Sequence, residues 1–310
     1  SSSTTIANAI AGKDFGTLSV QVSGNYQKRN RFDEEYYLPG AEDYFTIEEL
    51  SGIIPDNPYS EPLSSQYPDP SLAMEKYGVN AFLTYAPSAE INVDLSLGTQ
   101  KSEVQKIFLT NVFNGTIPFT VNKSETSYLN LAAKIHDFSF RTSYLPGHDN
   151  LALNATPNQY DYDVFDATAE YSITLGKLGH LVPGFSYQSA VYGDEEYASD
   201  GLSFLAGEEV DIKTTSGYLR TDLKPIDALR LIAAIRVDKF SSHEDSWFAY
   251  EFASTYKINK ANLIRVAVTR SNSGSFIGNN YVNLSVPINQ SLNFVRLGTE
   301  NLDLFTVTMA

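Results

Sequence analysis

The chain contains no cysteine, which removes disulfides, thiolate metal sites and cysteine nucleophiles from the chemistry open to it. Basic residues are few: 22 Lys and Arg stand against 37 Asp and Glu, a net charge of −15. Nucleic acid is therefore not an expected partner, because phosphate binding rests on Lys and Arg displacing counterions. The four histidines, His136, His148, His180 and His243, are scattered without metal-ligand spacing, so neither a metal nor a cofactor is expected. No window holds about 18 consecutive apolar residues, which excludes a transmembrane helix. The opening Ser1-Ser2-Ser3-Thr4-Thr5 lacks the basic end and apolar segment of a signal peptide. Gly-x-Ser-x-Gly, His-Glu-x-x-His and the P-loop are missing. Adjacent acids such as Glu195-Glu196 and Glu208-Glu209 do not provide the separation across a sugar that glycoside hydrolysis needs. An enzyme is not expected.

What is present is aromatic and periodic. The chain has 20 Tyr and 18 Phe but one Trp, and Tyr suits a position with one end in lipid and the other in water. Apolar residues recur with period two. Leu18, Val20 and Val22 alternate with Ser19 and Gln21; Ile91, Val93 and Leu95 with Asn92 and Asp94; Phe165, Ala169, Tyr171 and Ile173 share one parity, Glu170 and Thr174 the other. Ile264, Val266 and Val268 alternate likewise with Arg265 and Thr269. About eleven such strands can be counted, from Leu18 to Ser271, and a twelfth is expected near Leu304. A strand that crosses a membrane needs only about 9–11 residues with one apolar face.

The connections alternate in length. Short ones lie at 87–90, 136–137, 176–180, 224–228 and 258–262. The others span 27–77, 110–127, 145–162, 193–209, 241–246 and 272–297, and of these only 241–246 is short. In a meander every second connection lies at the same end, so one rim has turns and the other has loops, the asymmetry of outer-membrane barrels. Residues 27–76 carry eleven acids and four bases, and residues 193–209 six acids and no base. These loops read as solvated acidic surface. Asp161 and Asp163 flank Tyr162 as a calcium pair might be spaced, but without an EF-type run they read as loop solvation. The expected fold is all-β: an antiparallel transmembrane β-barrel wall occupying 1–310.

The last hundred residues resemble TonB-dependent outer-membrane receptors, in a Bacteroidetes-like form. The turn Lys224-Pro225-Ile226-Asp227 leads into Leu229–Phe240, where Ile235-Arg236-Val237-Asp238 is similar to the Gly-Leu-Arg-Tyr-Asp-like run of that family. Ala267-Val268-Thr269-Arg270-Ser271 takes the place of its Ala-Ser-Tyr-Gly-Arg-Ala-Phe-Arg strand, and Gly298-Thr299-Glu300-Asn301-Leu302 that of its Gly-Asn-Pro-x-Leu segment. The Asn-Pro and Lys-Pro-Glu elements are absent, and no TonB box or plug sequence is visible. Family barrels have about 22 strands around a plugged lumen, so the resemblance implies part of a barrel, without plug or closing strands. It further implies active uptake of a scarce solute (iron chelate, vitamin or oligosaccharide). The implied partners are the TonB complex acting through a plug outside this chain, outer-membrane lipids and a SusD-like surface lipoprotein. A passive porin or structural barrel component is the alternative function, and a soluble β-rich adhesin the alternative class.

Parity also nominates a solute site. Arg236 and Asp238 fall on the polar parity near the loop end of 229–240, and Trp247 and Glu251 take the same parity on the following strand. Ser275–Tyr281 follows the next one; its glycine permits a tight path and its Asn pair offers donors and acceptors. Asp238, Trp247, Asn279 and Asn280 are the expected substrate contacts.

Overall fold

The computed structural model describes residues 3–38, 41–53, 69–107, 119–150, 159–198, 204–272, 274, 277–289, 292–297 and 306–309. In chain order the elements are β1 (Thr4–Asp14), β2 (Leu18–Asn30), the short strands β3 (Tyr36–Leu38) and β4 (Asp43–Phe45), and helix α1 (Ile47–Ile53). Then come β5 (Leu72–Ser88), β6 (Ile91–Ile107), β7 (Phe119–Ile135), β8 (Phe138–Asn150), β9 (Gln159–Tyr171) and β10 (Ile173–Thr174). They are followed by β11 (Gly179–Gly193), β12 (Glu209–Ile226), β13 (Leu229–Phe240), β14 (Ser246–Lys257) and β15 (Leu263–Arg270). Helix α2 (Ile277–Asn280) precedes β16 (Asn283–Asn289), β17 (Leu292–Leu297) and β18 (Thr306–Met309).

β1, β2, β5 to β9 and β11 to β15 form one antiparallel meander, with β10 paired onto β11. Among the described residues β1 and β15 are its edges. The eleven strands expected from alternation are all present. β1 is an addition: Ala7, Ala9 and Ala11 pair with Tyr26, Gly24 and Val22, and alanine gives too little contrast to mark a face. The strand expected near Leu304 is β18, but it pairs with β17 in a separate three-stranded sheet. Two strands therefore lie within 272–297, which reads in sequence as a loop because Pro287 interrupts its alternation.

Register explains the period of two, since paired residues share a face. Leu97, Leu129, Tyr144 and Phe165 are consecutive cross-strand partners, and each is about 40 % exposed. A residue away, Ser96, Asn130, Ser143, Asp166, Gln188, Thr214 and Phe240 form the corresponding row on the other face. The first face is a belt of exposed apolar side chains that continues through Phe185, Val237, Phe248, Val266 and Val268. The second is laced by polar contacts, among them Thr84 Oγ1 to Asp94 at 2.6 Å and Asn92 Nδ2 to the same carboxylate at 2.5 Å. We call these faces outward and inward. An exposed apolar belt backed by a hydrogen-bonded polar face fits a wall between lipid and an aqueous lumen. No described helix is long and apolar enough to cross a membrane.

The turn rim is tight. His136 adopts φ +54 in the β7–β8 turn, and β5 and β6 are separated only by Ala89 and Glu90. At the other rim the strands run further than their alternation shows: β5, β6 and β7 have 17 residues each, beyond the 9–11 or so that a bilayer needs. The surplus carries charge on its outward face, with Lys101 paired to Glu125 at 2.5 Å and His148 to Asp161 at 2.9 Å. The first long connection has a small core of its own in Tyr36, Ile47 and Leu50, all nearly inaccessible. Thr46 and Glu49 close a reciprocal capping box at the start of α1.

Candidate functional site

The inward face folds around a cavity of about 650 Å³ near the loop rim of β11 to β15. The strands supply it in turn: Gln188 and Tyr192 from β11, Thr214 from β12, Arg236, Asp238 and Phe240 from β13, Glu251 from β14 and Thr269 from β15. Asn272 and Gly274 close one side, and Ile277, the first residue of α2, reaches the same space.

Asp238 is only 4 % exposed. It accepts hydrogen bonds from Ser216 Oγ at 2.6 Å, Arg236 Nε at 2.5 Å and Asn272 Nδ2 at 3.3 Å. A buried carboxylate needs such a donor set to offset its lost hydration. Arg236 is engaged in turn: its Nη2 donates to Ser216 at 2.8 Å and Ser186 at 3.4 Å, and its guanidinium lies 5.8 Å from the Tyr218 ring centre. The pair thus fixes the β13 wall and ties it to the segment after β15.

Trp247 is the cross-strand partner of Asp238 and sits at the β13–β14 corner, edge-on to His243 at 5.9 Å. It is 39 % exposed and does not line the cavity. Asn280 is half-buried in α2; the side chain of Asn279 lies outside the described residues. The structure therefore brings Asp238 and the start of α2 to one cavity, with Trp247 beside it.

Parity did not single out Gln188, Tyr192 or Thr214, which become neighbours only through register. Next to them an aromatic group covers the inward face of β9 and β11. Tyr160 stacks on Phe204 at 5.2 Å and lies 6.2 Å from Tyr162 and from Tyr192. Asp194 pins the adjoining acidic loop by accepting from Leu205 N at 2.6 Å and Gly207 N at 2.9 Å. Outside this wall Asp161 is held by His148 and Tyr197, and Asp163 by Tyr144. Burial, followed by the hydrogen bond to Asp161, pushes the pKa of the Tyr197 hydroxyl up to about 12.

No family model matches the chain, and no curated protein matches it. Solved structures do. The siderophore receptor PirA from Pseudomonas aeruginosa superposes on 97 % of this chain with a TM-score of 0.61 at 12 % identity. The fold is that of the barrel wall in this receptor. The ferric enterobactin receptor PfeA in complex with BCV-L6 matches 85 % of the chain (TM-score 0.55, 13 % identity), and PirA from Acinetobacter baumannii 84 % (0.53, 13 %). The chain spans 47 %, 41 % and 39 % of those three structures, less than half the length of each. At such identities the likeness is one of fold.

Proposed function

We propose that the chain is part of the wall of an outer-membrane receptor that takes up a scarce solute, driven by TonB through a plug domain. The observation that carries this reading is the polar cavity, placed on the inward face of a receptor-type barrel wall at the rim of long acidic loops. A solute arriving from outside meets that rim first. Asp238, Trp247, Asn279 and Asn280 are assigned to the site, with Asp238 acting through the orientation of Arg236 and Asn272. Iron chelates, a vitamin and oligosaccharides are the solute classes to test, and a SusD-like surface lipoprotein is a partner to seek with the last.

The test compares cells carrying the complete receptor with and without TonB for uptake of a panel of ferric chelates, cobalamin and oligosaccharides. Accumulation of one solute that disappears without TonB is the expected result. Accumulation that persists without TonB makes the protein a passive pore. Alanine at each of the four assigned positions should weaken binding of the accumulated solute at least severalfold in one or more variants; unchanged affinity in all four, in folded receptor, rejects the assignment.

A further inference from the structure

The turn rim carries a repeated pairing of side chains. Six turns form this rim, and four of them set a bulky apolar residue beside one or two lysines. Between β1 and β2, Phe15 stands with Lys13, whose Nζ lies 5.2 Å from the ring centre. Between β10 and β11, Leu178 follows Lys177. At the end of β12 Ile226 lies two residues from Lys224, and after β14 Ile258 lies between Lys257 and Lys260. The four apolar residues are between 42 and 59 % exposed, and all five lysines are exposed. Register turns the pairing outward: Lys13 is the partner of Val20, and Ile226 that of Leu229, both on the outward parity. Ile258 continues the parity of the outward Tyr256.

None of these five lysines forms a salt bridge or a side-chain hydrogen bond among the described residues. Outward lysines toward the loop rim are engaged instead. Lys28 is held by Asp69 at 3.4 Å, Lys101 by Glu125 at 2.5 Å, Lys123 by Glu103 at 3.9 Å and Lys213 by Asp211. Lys239 donates to the carbonyls of His243 and Glu244. Two acids of the turn rim are engaged as well: Glu90 pairs with His136 at 2.7 Å, and Asp14 accepts from the Gly16 amide at 2.7 Å. Asp137 and Asp227 are left against five lysines. An exposed apolar tip gains by leaving water, while an ammonium beside it must stay at a polar boundary. A membrane surface satisfies both, because the tip enters the acyl boundary and the lysine snorkels to the phosphate layer. Each lysine held near an anionic surface is worth about fivefold in affinity.

We propose that the turn rim is a footing on the membrane leaflet at its side: its lysines select anionic phospholipid headgroups while Phe15, Leu178, Ile226 and Ile258 seat in the acyl boundary. The inference rests on the membrane-wall reading above and not on the identity of any solute. The occupant is the lipid leaflet and not a soluble phosphate, because each lysine is coupled to an apolar residue that a soluble anion would leave in water. The two rims then have opposite tasks. The loop rim presents solvated acids to the exterior, and the turn rim fixes the depth of the wall in the bilayer.

The test uses the complete receptor reconstituted in phosphatidylcholine vesicles that contain spin-labelled phosphatidylglycerol or spin-labelled phosphatidylcholine. Electron paramagnetic resonance reads the fraction of each lipid immobilised at the protein. Phosphatidylglycerol should be retained at least about threefold over phosphatidylcholine at low salt, with the preference falling as salt rises. Lys13→Gln, Lys177→Gln, Lys224→Gln, Lys257→Gln and Lys260→Gln together should remove most of that preference. Lys76→Gln with Lys134→Gln, at lysines on the inward parity, should leave it intact. A preference absent from the unsubstituted receptor, or unmoved by the five substitutions, overturns the proposal. The chain has no cysteine, so Ile226→Cys or Ile258→Cys carries a single nitroxide once any cysteine elsewhere is replaced by serine. Oxygen should relax that nitroxide more than a water-soluble nickel chelate does. The reverse order puts the turns in water and overturns the footing. A nitroxide at Leu97→Cys, in the outward belt, separates the two failures. If it stays in the acyl region the footing alone is lost, and if it too is in water the membrane-wall reading falls with it.

Discussion

The ring of Tyr218 lies across Gly184, its cross-strand partner, in space that a side chain on Gly184 would occupy. The hydroxyl reaches one strand further and donates to Glu170 at 2.9 Å. The same arrangement occurs twice more on the inward face. Tyr162 covers Gly147 and bonds to Thr126 at 2.7 Å, and Tyr128 covers Gly98 and donates to Asn80 at 2.8 Å. In each case a tyrosine fastens three adjacent strands across a bare glycine, a device known to secure register. Part of the high tyrosine content is thus used on the lumen wall and not at the membrane boundary.

Gly184→Ala should therefore lift the Tyr218 ring and break its bond to Glu170. The expected loss is about 1–3 kcal/mol, from overpacking together with a lost hydrogen bond to a charged group. Tyr218→Phe alone should cost about 1–2 kcal/mol. If the staple is one unit, the double variant is less destabilised than the sum of the singles. Equilibrium unfolding of the complete receptor in lipid would measure all three, and strict additivity would show that ring and glycine are independent.

Much of this fold can be read from parity, because lipid, lumen and pleat impose the same period. The facing of Ile91, Val93 and Leu95 against Asn92 and Asp94 follows from it, as does the inward placement of Asp238. What parity cannot supply is register. Gln188, Thr214 and Phe240 are far apart in sequence and become one row only when three strands are aligned. The tyrosine–glycine staples and the cavity both depend on that alignment. The saturation of Asp238 by Ser216, Arg236 and Asn272 draws on two strands and the segment beyond a third, so residue type alone makes it look available for a ligand. β1 escaped because its outward residues are alanines.

The outward row predicts a sharp difference between neighbours in sequence. Leu95 pairs with Leu131 and Leu83 in the apolar belt, whereas Ser96 faces inward, within 3.4 Å of Asn130 Nδ2. Leu95→Arg should destabilise the barrel by about 2–4 kcal/mol, the cost of a cation on a lipid face near mid-bilayer. Ser96→Arg, able to reach lumen water, should cost less than about 1 kcal/mol. Chemical unfolding in vesicles distinguishes the two; equal penalties would sink the facing assignment.

Acid should loosen the entry to β5. The Asp69 carboxylate accepts from Ser71 Oγ at 2.6 Å and Ser71 N at 3.1 Å, and lies 3.4 Å from Lys28 Nζ. The Ser71 hydrogen bond is the largest influence holding its pKa below the ordinary 3.8, with Lys28 adding to it. A carboxyl depressed in the folded state contributes stability that is present in full above the unfolded value and lost as pH falls through the folded one. Amide exchange at Ser71 and Leu72 should then be constant from neutrality to about pH 4 and accelerate below it. Asp69→Asn should show the faster exchange at every pH. Acceleration that begins well above pH 4 in the unsubstituted protein would point to another group.

Arg31 should govern whether the first long connection stays docked. Its guanidinium stacks 3.6 Å from the centre of the buried Tyr36 ring, donates to Gln105 Oε1 on β6 at 3.0 Å, and reaches the carbonyls of Asp33 and Glu35 at 3.0 and 3.2 Å. One planar fork thus holds a loop strand, its own backbone and the barrel wall. Burial raises the Tyr36 hydroxyl pKa, so this residue stays neutral and packed through the physiological range. Arg31→Ala removes the stack and three donors together, and Arg31→Lys keeps the charge but neither the plane nor the fork. Both should expose the acidic segment around Glu34, Glu35, Glu48 and Glu49 to a glutamate-specific protease added to intact cells. Cleavage there should rise at least severalfold, while the turn at Lys224–Ala228 on the opposite rim stays uncut by trypsin. Rescue by lysine would reduce the contact to simple charge. Cutting at Lys224 in intact cells, with the Arg31 region spared, would reverse the sidedness of the wall.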